Sequence, residues 1–173
     1  LNIAGLMKLP VLFVVEDNGY AVNTPVSMRQ AFKDITDIVD KFGCKAWKID
    51  TTEVESIYSL ASHAIESIIF TKTPSLLHIK CYRYLEHVGI KEDFDTGYRT
   101  REEYLEWYGR DCVRLQRERL LEKGYVEVAI QGLEKLIDSD IEVAAQRAKE
   151  TPQPKPSDLY RSVYYDNGLL RSN

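Results

Sequence analysis

Residues 11–15, Val-Leu-Phe-Val-Val, form a continuous apolar run of strand length that ends in the polar loop Glu16-Asp17-Asn18-Gly19-Tyr20. Two folds are compatible with it. Asn18-Gly19 lies between stretches rich in β-branched and aromatic residues, a strong hairpin signal, so residues 11–15 and 20–22 read as two antiparallel strands. Alternatively, the run is a parallel strand covered on both faces, because it is continuous rather than alternating. Asp17 and Asn18 then stand at a strand end, where open α/β sheets bind ligands. Local periodicity does not separate these readings.

The order of the following elements favours the parallel strand. Residues 1–8 read as the last turns of a helix that stops at Leu9-Pro10, since proline disfavours helix in the residue before it. Residues 34–43 read as a short helix closed by Gly43, and residues 46–49 as a strand. Thr52 suits the N-cap of a helix over 53–71, with Val54, Ile57, Tyr58, Ala61, Ala64, Ile65 and Ile68 at helical spacing. Pro74 precedes a strand over 75–82. Strands alternating with helices predict an α/β fold, a parallel sheet with flanking helices. The strands at 11–15, 46–49 and 76–81 should then end on one edge, bringing together the loops that follow them.

From about Thr100 the pattern becomes helical, over 102–109, 112–123 and 127–150. The last helix carries a stripe of Ile130, Leu133, Ile137, Ile141, Ala144 and Ala148, suited to packing and assembly. Thr151-Pro152-Gln153-Pro154-Lys155-Pro156 reads as an extended linker, and the tail 157–173 carries Tyr160, Tyr164 and Tyr165 as docking candidates. The division expected is 1–99, 100–150 as a C-terminal helical extension, and 151–173. The net charge of -4 argues against a nucleic-acid partner. Cys44, Cys81 and Cys112 are far apart and odd in number, which fits free thiols in a reducing compartment. No apolar stretch is long enough to cross a bilayer, so no membrane partner is expected. The chain opens at Leu1 in mid-pattern, as expected for a fragment of a longer protein.

Three histidines invite chemistry. His63 sits among apolar helix positions and His78 within a strand; both read as structural. His87 differs, because it lies just past the carboxyl end of a strand, in a polar loop over 83–99 longer than a compact domain usually needs. Asn18 and the backbone carbonyl of Tyr20 suit Mg²⁺, which takes few protein oxygens when phosphates and water complete its octahedron. There is no Walker loop or GxGxxG sequence.

An ordered set of motifs then points to a family. Leu1-Asn2-Ile3-Ala4-Gly5-Leu6-Met7-Lys8-Leu9-Pro10-Val11 opens the set, followed by Glu16-Asp17-Asn18-Gly19-Tyr20 with Thr24-Pro25-Val26. Tyr82-Arg83 before His87, then Gly97-Tyr98-Arg99-Thr100-Arg101-Glu102-Glu103, and Asp158-Leu159-Tyr160 after the proline-rich linker complete it. The chain resembles, over nearly its whole length, the α subunit of thiamine-diphosphate-dependent E1 dehydrogenases of the pyruvate, branched-chain 2-oxo acid and acetoin complexes.

The resemblance implies a thiamine-diphosphate-binding fold, partial in this chain, and an oxidoreductase that decarboxylates a 2-oxo acid or cleaves acetoin. It implies thiamine diphosphate and Mg²⁺ as cofactors. Asn18 and the carbonyl of Tyr20 match the Mg²⁺ ligands of the family, with Gly19 beside them at the cofactor. His87 matches the loop histidine near the diphosphate and active-site entrance, and Arg83 is placed for anion or loop contacts. The implied partners are an E1 β subunit, in an α2β2 heterotetramer, and a lipoyl-bearing E2 that accepts the acyl group. The implied location is cytoplasmic in a bacterium and the mitochondrial matrix in a eukaryote. As alternatives, the chain serves only as a subunit-assembly module, or belongs to a non-oxidative thiamine-diphosphate enzyme.

Several positions depart from the family pattern. The Gly-Asp-Gly half of the cofactor motif, expected upstream of Leu1, is absent. Asp17 stands where many members have Asn, and Leu85-Glu86 precede His87 where pyruvate enzymes often have His-Gly. Val88 stands where animal pyruvate enzymes carry a regulatory serine, so phosphorylation there is not implied. His87-Val88-Gly89 with Glu92-Asp93 looks more like acetoin-type branches, and the 2-oxo acid is therefore not fixed by resemblance.

Overall fold

In the computed structural model, residues 1–160 are described; the docking expectation for Tyr164 and Tyr165 lies outside them. The sheet is built around β5 (Ser75–Lys80), with β1 (Leu12–Asp17) on one side and β4 (Lys45–Ile49) on the other, both parallel to it. Leu12 faces Ser75 and Asp17 faces Lys80 across the first pair; Lys45 faces Ser75 and Ile49 faces Ile79 across the second. The expected common edge is therefore present.

The strands differ in cover. Ser75, Leu76, Leu77 and His78 are all buried, as a parallel strand covered on both faces requires. β1 does not meet the expectation of cover on both faces, since Val14 is 51 % exposed. Among the described residues β1 pairs on one side only, and its continuous apolar run is more than this chain covers.

The hairpin also exists, one turn later than Asn18-Gly19. β2 (Tyr20–Ala21) pairs antiparallel with β3 (Thr24–Pro25) across Val22-Asn23. Asn18-Gly19 makes the bend between β1 and β2, with Gly19 at a φ of +79° that suits glycine. Val22 holds a φ of +59°, rare for a β-branched residue.

The helices follow the sequence closely. α1 spans Asn2–Leu6, and α2 spans Thr36–Val39 before a 3₁₀ turn at Asp40–Phe42, closed by Gly43 at a φ of +67°. α3 spans Val54–Thr71, with Glu53 rather than Thr52 at its N-cap, because Thr51 Oγ1 accepts the Glu53 N–H at 3.1 Å and sets the chain's entry one residue later. Ala64 and Ile68 of α3 are buried, whereas Val54, Tyr58 and Ile65 are exposed. Val39, Cys44 and Leu76 form the core, with Leu1, Phe13, Val15 and Ile35 packed against them.

α4 (Arg101–Gly109) starts at Thr100, whose hydroxyl accepts the Glu103 N–H at 3.2 Å. α5 (Cys112–Glu122) starts at Asp111, whose carboxylate accepts the Arg114 N–H at 2.8 Å. Both belong to a first compact unit, Leu1–Gly124. A second unit begins at Tyr125 and contains α6 (Glu127–Glu150). On α6, Ile130 is buried, while Leu133, Ile137 and Ile141 of the same stripe are exposed. No helix among the described residues is long and apolar enough to cross a membrane.

Core and edge should respond differently to truncation. Leu77→Ala removes a side chain only 1 % exposed and is expected to cost about 2–5 kcal/mol in urea unfolding. Val14→Ala in this chain is expected to cost less than about 1 kcal/mol.

Candidate functional site

The loops that leave β1 and β5 meet at the common strand edge. The first bends immediately: Asp17 Oδ1 accepts the Gly19 N–H at 2.9 Å, and Asn18 Oδ1 accepts the Tyr20 N–H at 2.9 Å. Side-chain turns of this kind hold a loop without regular structure. An amide oxygen has two lone pairs, so the contact with Tyr20 leaves Asn18 Oδ1 able to bind a cation. Gly19 has no atom within 4 Å of the place a Cβ would take, leaving room beside the backbone.

The Tyr20 ring is used elsewhere. Its hydroxyl donates to Glu103 Oε2 at 2.7 Å, and its ring stands edge-on to Tyr98 at 5.4 Å. Burial, reinforced by the Glu103 carboxylate, pushes the Tyr20 hydroxyl well above its ordinary range. The Tyr20 side chain is thus engaged with Glu103 and Tyr98, and its backbone carbonyl is the group it presents beside Gly19.

The second loop is moulded by Arg99, whose side chain is 1 % exposed. Its guanidinium pairs with Asp93 and donates to the backbone carbonyls of Arg83 and Leu85, the latter at 3.2 Å. It lies over the Tyr82 ring at 5.1 Å, and Tyr82 stacks on Trp107 at 5.6 Å. The Tyr98 hydroxyl donates to the other oxygen of Asp93. Burial would raise Asp93, yet the hydrogen bonds from Tyr98 and Arg99 outweigh it and hold the carboxyl below the usual range.

Arg83 joins the two loops. It donates through Nη2 to the Val22 carbonyl at 3.2 Å and to the Tyr98 hydroxyl at 2.7 Å, and through Nε to the Leu85 carbonyl at 3.0 Å. Its Nη1 lies 3.3 Å from His87 Nδ1. A guanidinium only donates, so Nδ1 accepts here and the ring proton sits on Nε2. His87 is exposed, at the base of a tip closed by the Glu86 N–H donating to the Lys91 carbonyl at 2.8 Å. Arg83 thus ties the Val22 turn, which follows Asn18, Gly19 and Tyr20, to His87.

Donor chemistry at the β1 end suits a hard cation only in part. Among the described residues, no group of three or more His, Cys, Asp and Glu side chains can hold a metal. The chain offers neutral oxygens from Asn18 and Tyr20, which fits Mg²⁺ completed by phosphate and water.

Asp93, Tyr98, Arg99 and Glu103 have no role assigned to them by residue type or spacing alone. Their signal was an arginine between Tyr98 and Thr100 in a polar loop, with an acid six residues before it. His63 is exposed rather than packed among apolar neighbours, because it lies on the outer side of α3. His78 is buried, and its Nε2 lies 2.9 Å from Asp17 Oδ2. Lys80 also donates to that oxygen. Burial alone would raise Asp17, but the bonds from Lys80, Gly19 and His78 bring its carboxyl down to about 2.

Comparison with known proteins adds an independent finding. The family model described as "Dehydrogenase E1 component" matches residues 1–157. Similar proteins include the pyruvate dehydrogenase E1 component subunit alpha of Rickettsia felis, 28 % identical over 164 residues, which cover 94 % of this chain and 49 % of that protein. The subunit of the same name from Bacillus cereus is 30 % identical over 167 residues, covering 95 % and 44 %. That of Zymomonas mobilis is 30 % identical over 163 residues, covering 94 % and 45 %. The chain spans about half the length of these relatives.

The buried Arg99–Asp93 pair should be costly to break. Asp93→Ala, which leaves a buried guanidinium without its counter-charge, is expected to lose about 3–5 kcal/mol in urea unfolding. A lowered Asp93 contributes stability that is present above its unfolded value of about 3.9 and lost as pH falls through its folded value. Asp93→Asn should abolish that part of the acid loss in a pH series of unfolding curves.

Proposed function

The chain belongs to the dehydrogenase E1 component family, and from that premise we propose that it forms part of the α subunit of a thiamine-diphosphate-dependent E1 enzyme. The enzyme would oxidatively decarboxylate a 2-oxo acid, or cleave acetoin, and pass the acyl group to lipoamide on E2. The observation that supports this reading best is the β1 end. There a capped Asn18, an open Gly19 and the Tyr20 carbonyl follow a parallel strand, and Arg83 links their loop to His87.

In this reading Asn18 Oδ1 and the Tyr20 carbonyl bind Mg²⁺, and the space beside Gly19 admits the diphosphate. Further oxygens must come from the diphosphate, from water and from elsewhere in the enzyme. Bound thiamine diphosphate supplies the carbanion chemistry that cleaves a carbon–carbon bond. His87, with its Nε2–H free to point away from Arg83, donates to an anionic oxygen or passes a proton at the site entrance. Arg83 spends its donors on Val22, Leu85, Tyr98 and His87, so its contribution to cofactor binding is to hold the two loops in register.

The same reading divides the chain into a cofactor half at 1–99, a helical extension at 100–150 and a tail at 151–173. The exposed apolar stripe of α6 supports assembly with an E1 β subunit in an α2β2 heterotetramer. The bacterial relatives support a cytoplasmic location.

Asn18→Ala in the full-length protein tests the metal assignment. The Mg²⁺ concentration for half-maximal activity at limiting cofactor should rise about tenfold or more, an effect of the size expected for weakened metal affinity. Unchanged activity under those conditions would remove Asn18 from the ligand set.

A further inference from the structure

His78 is buried, 3 % exposed, in the central strand and has no part in the chemistry above. Its two ring nitrogens face two carboxylates on different elements. Nε2 lies 2.9 Å from Asp17 Oδ2, at the end of β1, and Nδ1 lies 3.4 Å from Asp34 Oδ1, just before α2. A carboxylate only accepts, so Nε2 donates to Asp17. The Nδ1 arm is too long for a good hydrogen bond, and Nδ1 has no other hydrogen-bond partner.

Asp17 is thereby held from both sides. Its Oδ2 takes His78 and Lys80, while its Oδ1 accepts the Gly19 N–H. Lys80 is one-third exposed on a flexible stem, so water competes for its ammonium group. The His78 ring, by contrast, is buried in β5, away from competing water. Asp34 is itself immobilised, because Lys48 pairs with it and its Oδ1 accepts the Thr36 N–H at 3.0 Å. The result is a relay of fixed groups, from β5 through Asp17 to the amide of Gly19, one residue past Asn18.

We propose that His78 is a positioning residue which, through Asp17, fixes the Asn18–Gly19 turn so that Asn18 Oδ1 and the Tyr20 carbonyl stand ready for a divalent cation. The proposal rests on the Mg²⁺ reading given above. It assigns the work to the Nε2 arm, and this separates it from simple filling of a buried polar site. Gln reproduces a donor at the Nε2 position, whereas Asn places its amide near the Nδ1 position.

The test uses full-length protein carrying His78→Gln, His78→Asn or His78→Leu, with Mg²⁺ and thiamine diphosphate as probes. Cofactor uptake is followed by equilibrium dialysis across a Mg²⁺ series, and exchange of the Gly19 amide by NMR. His78→Gln should keep the wild-type Mg²⁺ midpoint and slow Gly19 exchange. His78→Asn and His78→Leu should need about tenfold more Mg²⁺ at unchanged cofactor capacity, with faster Gly19 exchange. If the leucine variant fails to fold, the Gln and Asn pair decides alone. Equal Mg²⁺ midpoints for Gln and Asn, with wild-type uptake intact, would overturn the role of His78 and leave the metal reading standing. Wild-type protein whose cofactor uptake ignores Mg²⁺ would overturn the metal reading itself and, with it, the metal-facing role of His78. In that case, equal Gly19 exchange in all forms would further overturn the relay.

Discussion

Everything at this site depends on the parallel pairing of β5 with strands on both sides. Parallel strands share direction, so β1 and β5 end together, at Asp17 and Lys80. That register converts two motifs more than sixty residues apart into neighbours. A slip of one residue would turn Asp17 and His78 to opposite faces and break the contact between them. Ser75, Leu76, Leu77 and His78 are buried on both faces of β5, so a displaced strand would have to repack two covered faces at once.

On this edge the polar network does the shaping that regular structure cannot. The chain from 81 to 100 has no strand and only a 3₁₀ turn at Phe94–Thr96, yet its carbonyls at Arg83 and Leu85 are held by one buried guanidinium. Burying Arg99 and Asp93 costs desolvation that their attraction offsets only when geometry is good. Their value here is a defined loop shape: with Arg99 holding the backbone, Arg83 is free to reach Val22 on one side and His87 on the other. Val22 at a φ of +59° fits this picture, since its strained turn presents the carbonyl that Arg83 takes.

Much of this was legible in the residues. Strand and helix order followed from apolar spacing, and the glycine at 43 and the full span of α6 were placed correctly. Asn18, Gly19 and His87 stood out because they follow strand ends. Asn18-Gly19 carries the usual turn signal, yet the turn that joins two antiparallel strands uses Val22-Asn23, against local preference. The roles of Asp93, Arg99 and His78 were hidden for a different reason. Each depends on a partner fixed by register or by a loop's path, and single-sequence periodicity carries neither. The apolar face of β1 was read as fully covered, whereas Val14 is half exposed in this chain.

In the function proposed here, Asn18 and the Tyr20 carbonyl at this strand edge supply only part of a Mg²⁺–diphosphate site, the other oxygens coming from the diphosphate, from water and from elsewhere in the enzyme. Calorimetric titration of Mg²⁺ and thiamine diphosphate into this chain and into the full-length protein, side by side, addresses it most directly. Weak heat from this chain and saturable, Mg²⁺-dependent binding by the full-length protein are the expected results. Tight binding to this chain alone, or Mg²⁺-independent binding to the full-length protein, would contradict that proposal.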